Sequence, residues 1–200
     1  MKLAVFVSGT GSNLQALIDS ERAGNLSSAK ITLVVSDKSE AYALKRAEEV
    51  GIKTFVLEAE GFASREEYDT RIVEELKAEG IELVVLAGFM RILSPVFIKE
   101  YEGRILNIHP ALLPSFKGVH GIKDAFDYGV KETGVTVHFV EDDLDAGPVI
   151  LQRSVRIEED DTLESLEEKI HAEEHKLYPE AVRLFADGKL KIEGRKVKIT

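Results

Sequence analysis

Four short segments of the chain carry side chains with chemistry to offer. The first is Ser8-Gly9-Thr10-Gly11-Ser12-Asn13, which follows an apolar run and opens a helical pattern. Glycines there let backbone N–H groups approach an anion, and the positive end of a helix dipole adds attraction. The segment is not a dinucleotide fingerprint, because Leu14 stands where the third glycine would fall. It also lacks the Lys-Ser/Thr pair of a nucleotide P-loop. Ser12 and Gln15 have capping-box spacing, which predicts where the helix starts. Two readings stay open: a phosphate cradle, or a capped strand-to-helix turn that binds nothing.

The second segment is Asn107-Ile108-His109-Pro110 at the carboxyl end of a predicted strand. Strand periodicity puts Asn107 and His109 on one face, and Pro110 ends the ladder. An amide and an imidazole can both donate to an oxygen that gains negative charge. A hydrogen-bonded pair closing a loop would use the same residues. The third segment is Asp142-Asp143-Leu144-Asp145-Ala146-Gly147-Pro148. It is either an acidic turn in solvent or a loop that sets one carboxylate against an imidazole for acid–base work. Its spacing misses a calcium loop, so no metal is expected. His138 shares a strand face with Thr136; it lines the same cleft or sits satisfied in the core.

The fourth is a carboxylate on an apolar face. Leu163, Leu166, Ile170, Leu177, Ala181 and Leu184 form a helical stripe, and Glu174 fills its one gap. A buried charge is costly without a partner. A cationic partner or ligand is therefore expected beside Glu174, unless a kink at Pro179 opens that face to water. Glu173 is read as solvated.

These segments need a scaffold. Lys2–Val7, Lys30–Ser36, Lys53–Leu57, Ile81–Leu86 and Arg104–Ile108 read as strands. Ser12–Ala23, Ala41–Val50 and Arg65–Glu79 read as the helices between them. Such alternation predicts an α/β fold: a mostly parallel, Rossmann-like open twisted sheet with helices on both faces. Gly134–Glu141 and Pro148–Ile157 are joined too closely for a helical crossover, so an antiparallel pair is expected in the second half. A helix over Thr162–Ala186 and a terminal hairpin follow.

Composition narrows the classes. A chain of 200 residues, 44% of them hydrophobic, suits a single domain, 1–200. The 26 basic and 36 acidic residues give a net charge of −10, which argues against nucleic acid as a partner. No apolar run approaches the roughly 20 residues of a membrane span, so no membrane partner is expected. The apolar opening is too short for a signal peptide, and cysteine is absent; a cytoplasmic location is expected.

Together the four segments resemble the folate-dependent glycinamide ribonucleotide formyltransferases of purine synthesis. Ser8–Leu14, Leu86-Ala87-Gly88-Phe89-Met90-Arg91-Ile92-Leu93, Asn107–Pro110 with Leu112-Leu113-Pro114, and Leu144–Ile150 carry the likeness. The Asn-x-His and Asp set is common to enzymes that use 10-formyltetrahydrofolate. The glycine loop and Glu174-His175 with Tyr178-Pro179 point to this branch.

The resemblance implies that Asn107 and His109 stabilise an oxyanion while Asp145 holds His109 charged and helps move a proton, directly or through a water. It implies a ribonucleotide phosphate at Gly11, Ser12 and Asn13, with Glu174 on the substrate ammonium and His120 nearby. It implies a pterin pocket at Met90, Arg91, Ile92 and Leu93, read by the backbone of Glu141, Asp142, Asp143, Leu144 and Asp145, with Arg65 on the carboxylate tail. A phosphate-binding half, about 1–100, would precede a catalytic and folate-binding half, about 101–186, and a hairpin, 187–200. Monomer and homodimer both fit. Two departures stand out: Ser115-Phe116-Lys117-Gly118 lacks the Pro-Gly pair usual before His120, and Ala146 replaces a frequent glycine.

Overall fold

Alternate residues of the first strand, β1 (Lys2–Val7), belong to two different cores. Leu3, Val5 and Val7 face one cluster with Leu14, Leu17 and Tyr178. Ala4 and Phe6 face the other with Leu33, Tyr68 and Phe97. A strand buried on both faces is apolar throughout, which is why it reads as a continuous run.

The computed structural model describes residues 1–200. After β1 come α1 (Ser12–Arg22), β2 (Lys30–Ser36), α2 (Tyr42–Glu49), β3 (Lys53–Val56), α3 (Arg65–Glu79) and β4 (Leu83–Leu86). Then follow α4 (Pro95–Glu100), β5 (Ile105–His109), α5 (Gly121–Tyr128), β6 (Glu132–Phe139) and β7 (Val149–Arg156). The long α6 (Leu163–Ala186) precedes β8 (Leu190–Glu193) and β9 (Lys196–Ile199). No helix is long and apolar enough to cross a membrane.

All nine strands form one sheet in the order β3-β2-β1-β4-β5-β6-β7-β9-β8. From β3 to β5 the neighbours are parallel; β5–β6, β6–β7 and β8–β9 are antiparallel. The chain leaves β1 toward β2 and later returns to β1's other side as β4. That reversal makes a crevice at the carboxyl ends of β1 and β4, where ligands of such sheets sit.

The predicted strands and their mostly parallel order are found, with three additions. Helices α4 and α5 escape the reading: α4 has only six residues and begins on Pro95, and α5 has eight. The antiparallel pairing begins one strand earlier than expected, at β5–β6. The capping box at Ser12 and Gln15 is absent. Gly11, at φ 73°, takes the cap position, so Ser12 is already helical. The Gln15 side chain instead accepts from Arg46 and donates to Asp19. Pro179 does not end α6, which runs on to Ala186.

Candidate active site

Antiparallel pairing of β5 with β6 sets Asn107 opposite His138, and His109 opposite Thr136. The His138 Nδ1 is 2.8 Å from the Phe139 carbonyl, which can only accept, so Nδ1 carries the ring's proton. Its Nε2 lies 3.3 Å from Asn107 Nδ2. Burial lowers the pKa of the His138 imidazole from the usual histidine value, against the hydrogen bond to Phe139 and the pull of Asp145. With Nδ1–H committed to Phe139 and burial disfavouring a second proton, Nε2 is left as an acceptor, and Asn107 donates to it.

The acidic loop brings Asp145 to the same place. Gly147 is required there: a Cβ would fall 1.8 Å from the Phe139 carbonyl oxygen. The loop thus lies tight against the end of β6, and Asp145 takes a left-handed φ of 48°, a conformation aspartate tolerates better than most residues. The Asp145 Oδ2 accepts from the Gly118 amide at 2.8 Å and stands 3.5 Å from His109 Nδ1. The other oxygen is 3.7 Å from His138 Nε2. One buried carboxylate is flanked by two imidazoles.

A cavity of about 120 Å³ opens in front of this cluster. Met90–Leu93 form one wall and Glu141–Asp145 the other, with Asn107 and His138 between them. Ser8 holds the first wall: its hydroxyl donates to Asp37 and accepts from the Met90 amide. The Arg91 guanidinium lies 4.5 Å from the centre of the Tyr68 ring. Beside it, burial pushes the Asp69 carboxyl up, while Ser94, Arg91 and Arg65 pull it down.

Not every expected residue reaches the cavity. His109 is buried behind Asp145, and its Nε2 donates to the Phe116 carbonyl at 2.7 Å. Arg65 is half-exposed at the start of α3, within ion-pair reach of Glu66. His120 is exposed just before α5.

Across the crevice, the amides of Ser12, Asn13 and Leu14 at the start of α1 have no protein acceptor. The Asn13 side-chain NH₂ donates to Glu174 Oε2 at 3.0 Å, and His171 Nδ1 lies 3.0 Å from the same oxygen. Glu174 is only 4% exposed. Its Oε1 has no protein donor. A larger open groove, about 610 Å³, runs from Ser12 along α1 to Asn25, with Arg46 and His175 on its walls.

A family model described as "Formyl transferase" matches residues 1–182. The chain belongs to the formyl transferase family. It is 45% identical over 192 residues to phosphoribosylglycinamide formyltransferase of Escherichia coli (strain K12), covering 96% of this chain and 90% of the relative. The Bacillus subtilis (strain 168) protein of the same name is 41% identical over 182 residues, covering 91% and 93%. A solved structure described as glycinamide ribonucleotide transformylase 1 from Symbiobacterium toebii matches with a TM-score of 0.97 at 45% identity, covering 100% and 93%.

Several parts of this candidate site were not visible in the sequence. His171 is one: it stands on α6 one turn before Glu174, and the stripe marked the carboxylate but not the ring beside it. The Gly118 amide and the Phe116 carbonyl are others, since backbone groups leave no trace in residue type. The segment lacking Pro-Gly supplies both, with Phe116 at φ 52° and Gly118 at φ 93°. Tyr178, noted only as part of a motif, is fully buried with its hydroxyl 2.8 Å from the Leu86 carbonyl and 2.9 Å from that of Leu106. It ties α6 to the ends of β4 and β5.

Proposed function

We propose that this chain transfers the formyl group of 10-formyltetrahydrofolate to the amine of glycinamide ribonucleotide, a step of purine biosynthesis. The observation that carries the reading is the placement of Asn107 and Asp145 together at one cavity, across the crevice from the unpartnered amides of α1. An amide donor and a carboxylate are what an amine attacking a formyl carbon needs.

The phosphate of the ribonucleotide fits the start of α1, where Gly11, Ser12 and Asn13 present free N–H groups and the helix dipole is positive. The Glu174 Oε1 then accepts from the substrate ammonium while Asn13 and His171 hold Oε2. Apolar atoms of Met90, Ile92 and Leu93 suit one face of a pterin, and the polar backbone of Glu141–Leu144 suits its hydrogen-bonding edge. Arg65, close to Asp69 and so beside the Arg91 wall, suits the carboxylate tail outside. His120, next to the cavity-lining Val119, is the remaining candidate for the ribonucleotide.

In the reaction the substrate ammonium first loses one proton to solvent; the amine lone pair so freed forms a bond to the formyl carbon, and the carbonyl electron pair moves to oxygen. Asn107 donates its remaining N–H to that oxyanion; loss of one such donor typically costs ~10²–10³ in turnover. His109 adds a second donor when its Nε2–H exchanges the Phe116 carbonyl for the oxyanion. Asp145 takes the proton that the attacking nitrogen releases, directly or through a water, and a proton reaches the departing folate nitrogen as its bond to carbon breaks.

The test is an absorbance assay of folate deformylation with and without the ribonucleotide amine. Turnover that requires the amine is expected. Equal turnover without it would make the chain a 10-formyltetrahydrofolate hydrolase instead.

A further inference from the structure

We infer that His138 is a positioning residue for the transfer: its unprotonated Nε2 holds the Asn107 amide with the NH₂ end beside Asp145, one N–H spent on the imidazole and the other left for the oxyanion. The inference rests on the reading of Asn107 as an oxyanion donor. An asparagine amide can be turned end for end, and its two ends do opposite things: one donates, the other accepts. Something must choose between them. The Phe139 carbonyl does so at one remove. It can only accept, so His138 must carry its proton on Nδ1, 2.8 Å away. Only a bare nitrogen is then left to face Asn107 at 3.3 Å, and a bare nitrogen demands a donor.

The groups around His138 keep this chain of choices in place. The ring is 2% exposed. The Phe139 hydrogen bond and Asp145, 3.7 Å from Nε2, favour a second proton, whereas burial, His109 and Lys117 oppose it, and burial is the largest effect. Were Nε2 protonated, the amide would have to offer its oxygen to the ring, and a lone pair would replace the donor beside the carboxylate. The antiparallel register that opposes Asn107 to His138 makes the pairing a property of the sheet.

A double-mutant cycle on the full chain tests this, read as kcat and as KM for each substrate in the amine-dependent assay. His138→Leu and His138→Phe remove the acceptor and fill the space; the aromatic variant keeps a ring if the leucine variant fails to fold. Each is expected to lower kcat about 10-fold or more with both KM values within about twofold. In an Asn107→Ala background the same change should cost less than about twofold, because the amide it orients is gone. His138→Gln, whose side-chain oxygen can accept from Asn107, should recover most of kcat. Equal costs in the two backgrounds overturn the inference, as does a leucine or phenylalanine variant with kcat near that of the parent. A glutamine variant as slow as leucine also counts against it. If Asn107→Ala itself keeps normal turnover, the oxyanion reading falls, and His138 then has no donor to position.

Discussion

The Asp145 Oδ2 stands 3.5 Å from His109 Nδ1, with both side chains buried. The two come from distant parts of the chain, and each is fixed by backbone. Asp145 is held by the Gly118 amide and by the tight seat of Gly147 under Phe139. His109 is held by the Phe116 carbonyl. A carboxylate so placed can take a proton at the cavity while its other side is backed by an imidazole that can carry charge.

Asp145→Asn keeps the shape and still accepts from Gly118, but it is a far weaker proton acceptor. General acid–base assistance is typically worth 10²–10⁴-fold, so kcat should fall by at least about 10². Steady-state kinetics with thermal unfolding on the same sample checks it. A variant within about tenfold of the parent would remove Asp145 from the proton path.

Asn107→Ala and His109→Ala should each lower kcat by at least about 10². They should differ in stability. Asn107 is partly exposed, so its removal changes unfolding little. His109 is buried, and truncating it leaves the Phe116 carbonyl without its donor, a loss of about 1–3 kcal/mol. Urea unfolding separates the two.

The parallel half of the fold was legible because strands covered on both faces are apolar at every position, as in Leu3–Val7. Asn107 stood out by residue type and strand spacing, whereas Asp145 was singled out among three carboxylates only by the family resemblance. What was hidden depends on register or on backbone. The role of His138 follows from which residue of β6 opposes Asn107, and that pairing is a tertiary fact. Beside Glu174 a cationic partner or a ligand was expected. The structure supplies a neutral amide, Asn13, together with His171, whose ring is drawn upward in pKa by that same carboxylate. Helix α4 was hidden because six residues hold too few turns to show a period.

The glycine loop gives a prediction of its own. Gly11 has φ 73°, and a Cβ there would fall 2.6 Å from Ala43 Cβ. Gly11→Val must therefore push α2 away and destabilise the fold, as well as disturb the amides of α1. Phosphate binding to the native state raises its stability by RT ln(1 + [L]/Kd). Ribose 5-phosphate should raise the Tm of the parent and leave that of the variant unmoved. A parent that ribose 5-phosphate does not stabilise at any concentration below denaturing salt would remove the anion cradle.

The three histidines with shifted pKa values pull the pH dependence of stability in opposite directions. Hydrogen bonding to Glu174 raises His171, so its contribution is complete below the unfolded histidine value of about 6.5 and is lost as pH rises through the higher folded value. Burial lowers His138 and His175, so their contribution is complete above about 6.5 and is lost as pH falls below it. His171→Gln should therefore lower Tm more at pH 5.5 than at pH 8.5, by a modest amount because the ring is 48% exposed. His138→Phe should do the reverse, flattening the acid side of the Tm profile. Melting curves at about half-unit steps between pH 5 and 9 distinguish the two. Parallel profiles for the parent and the His171→Gln variant would mean that the ring does not pair with Glu174 in solution.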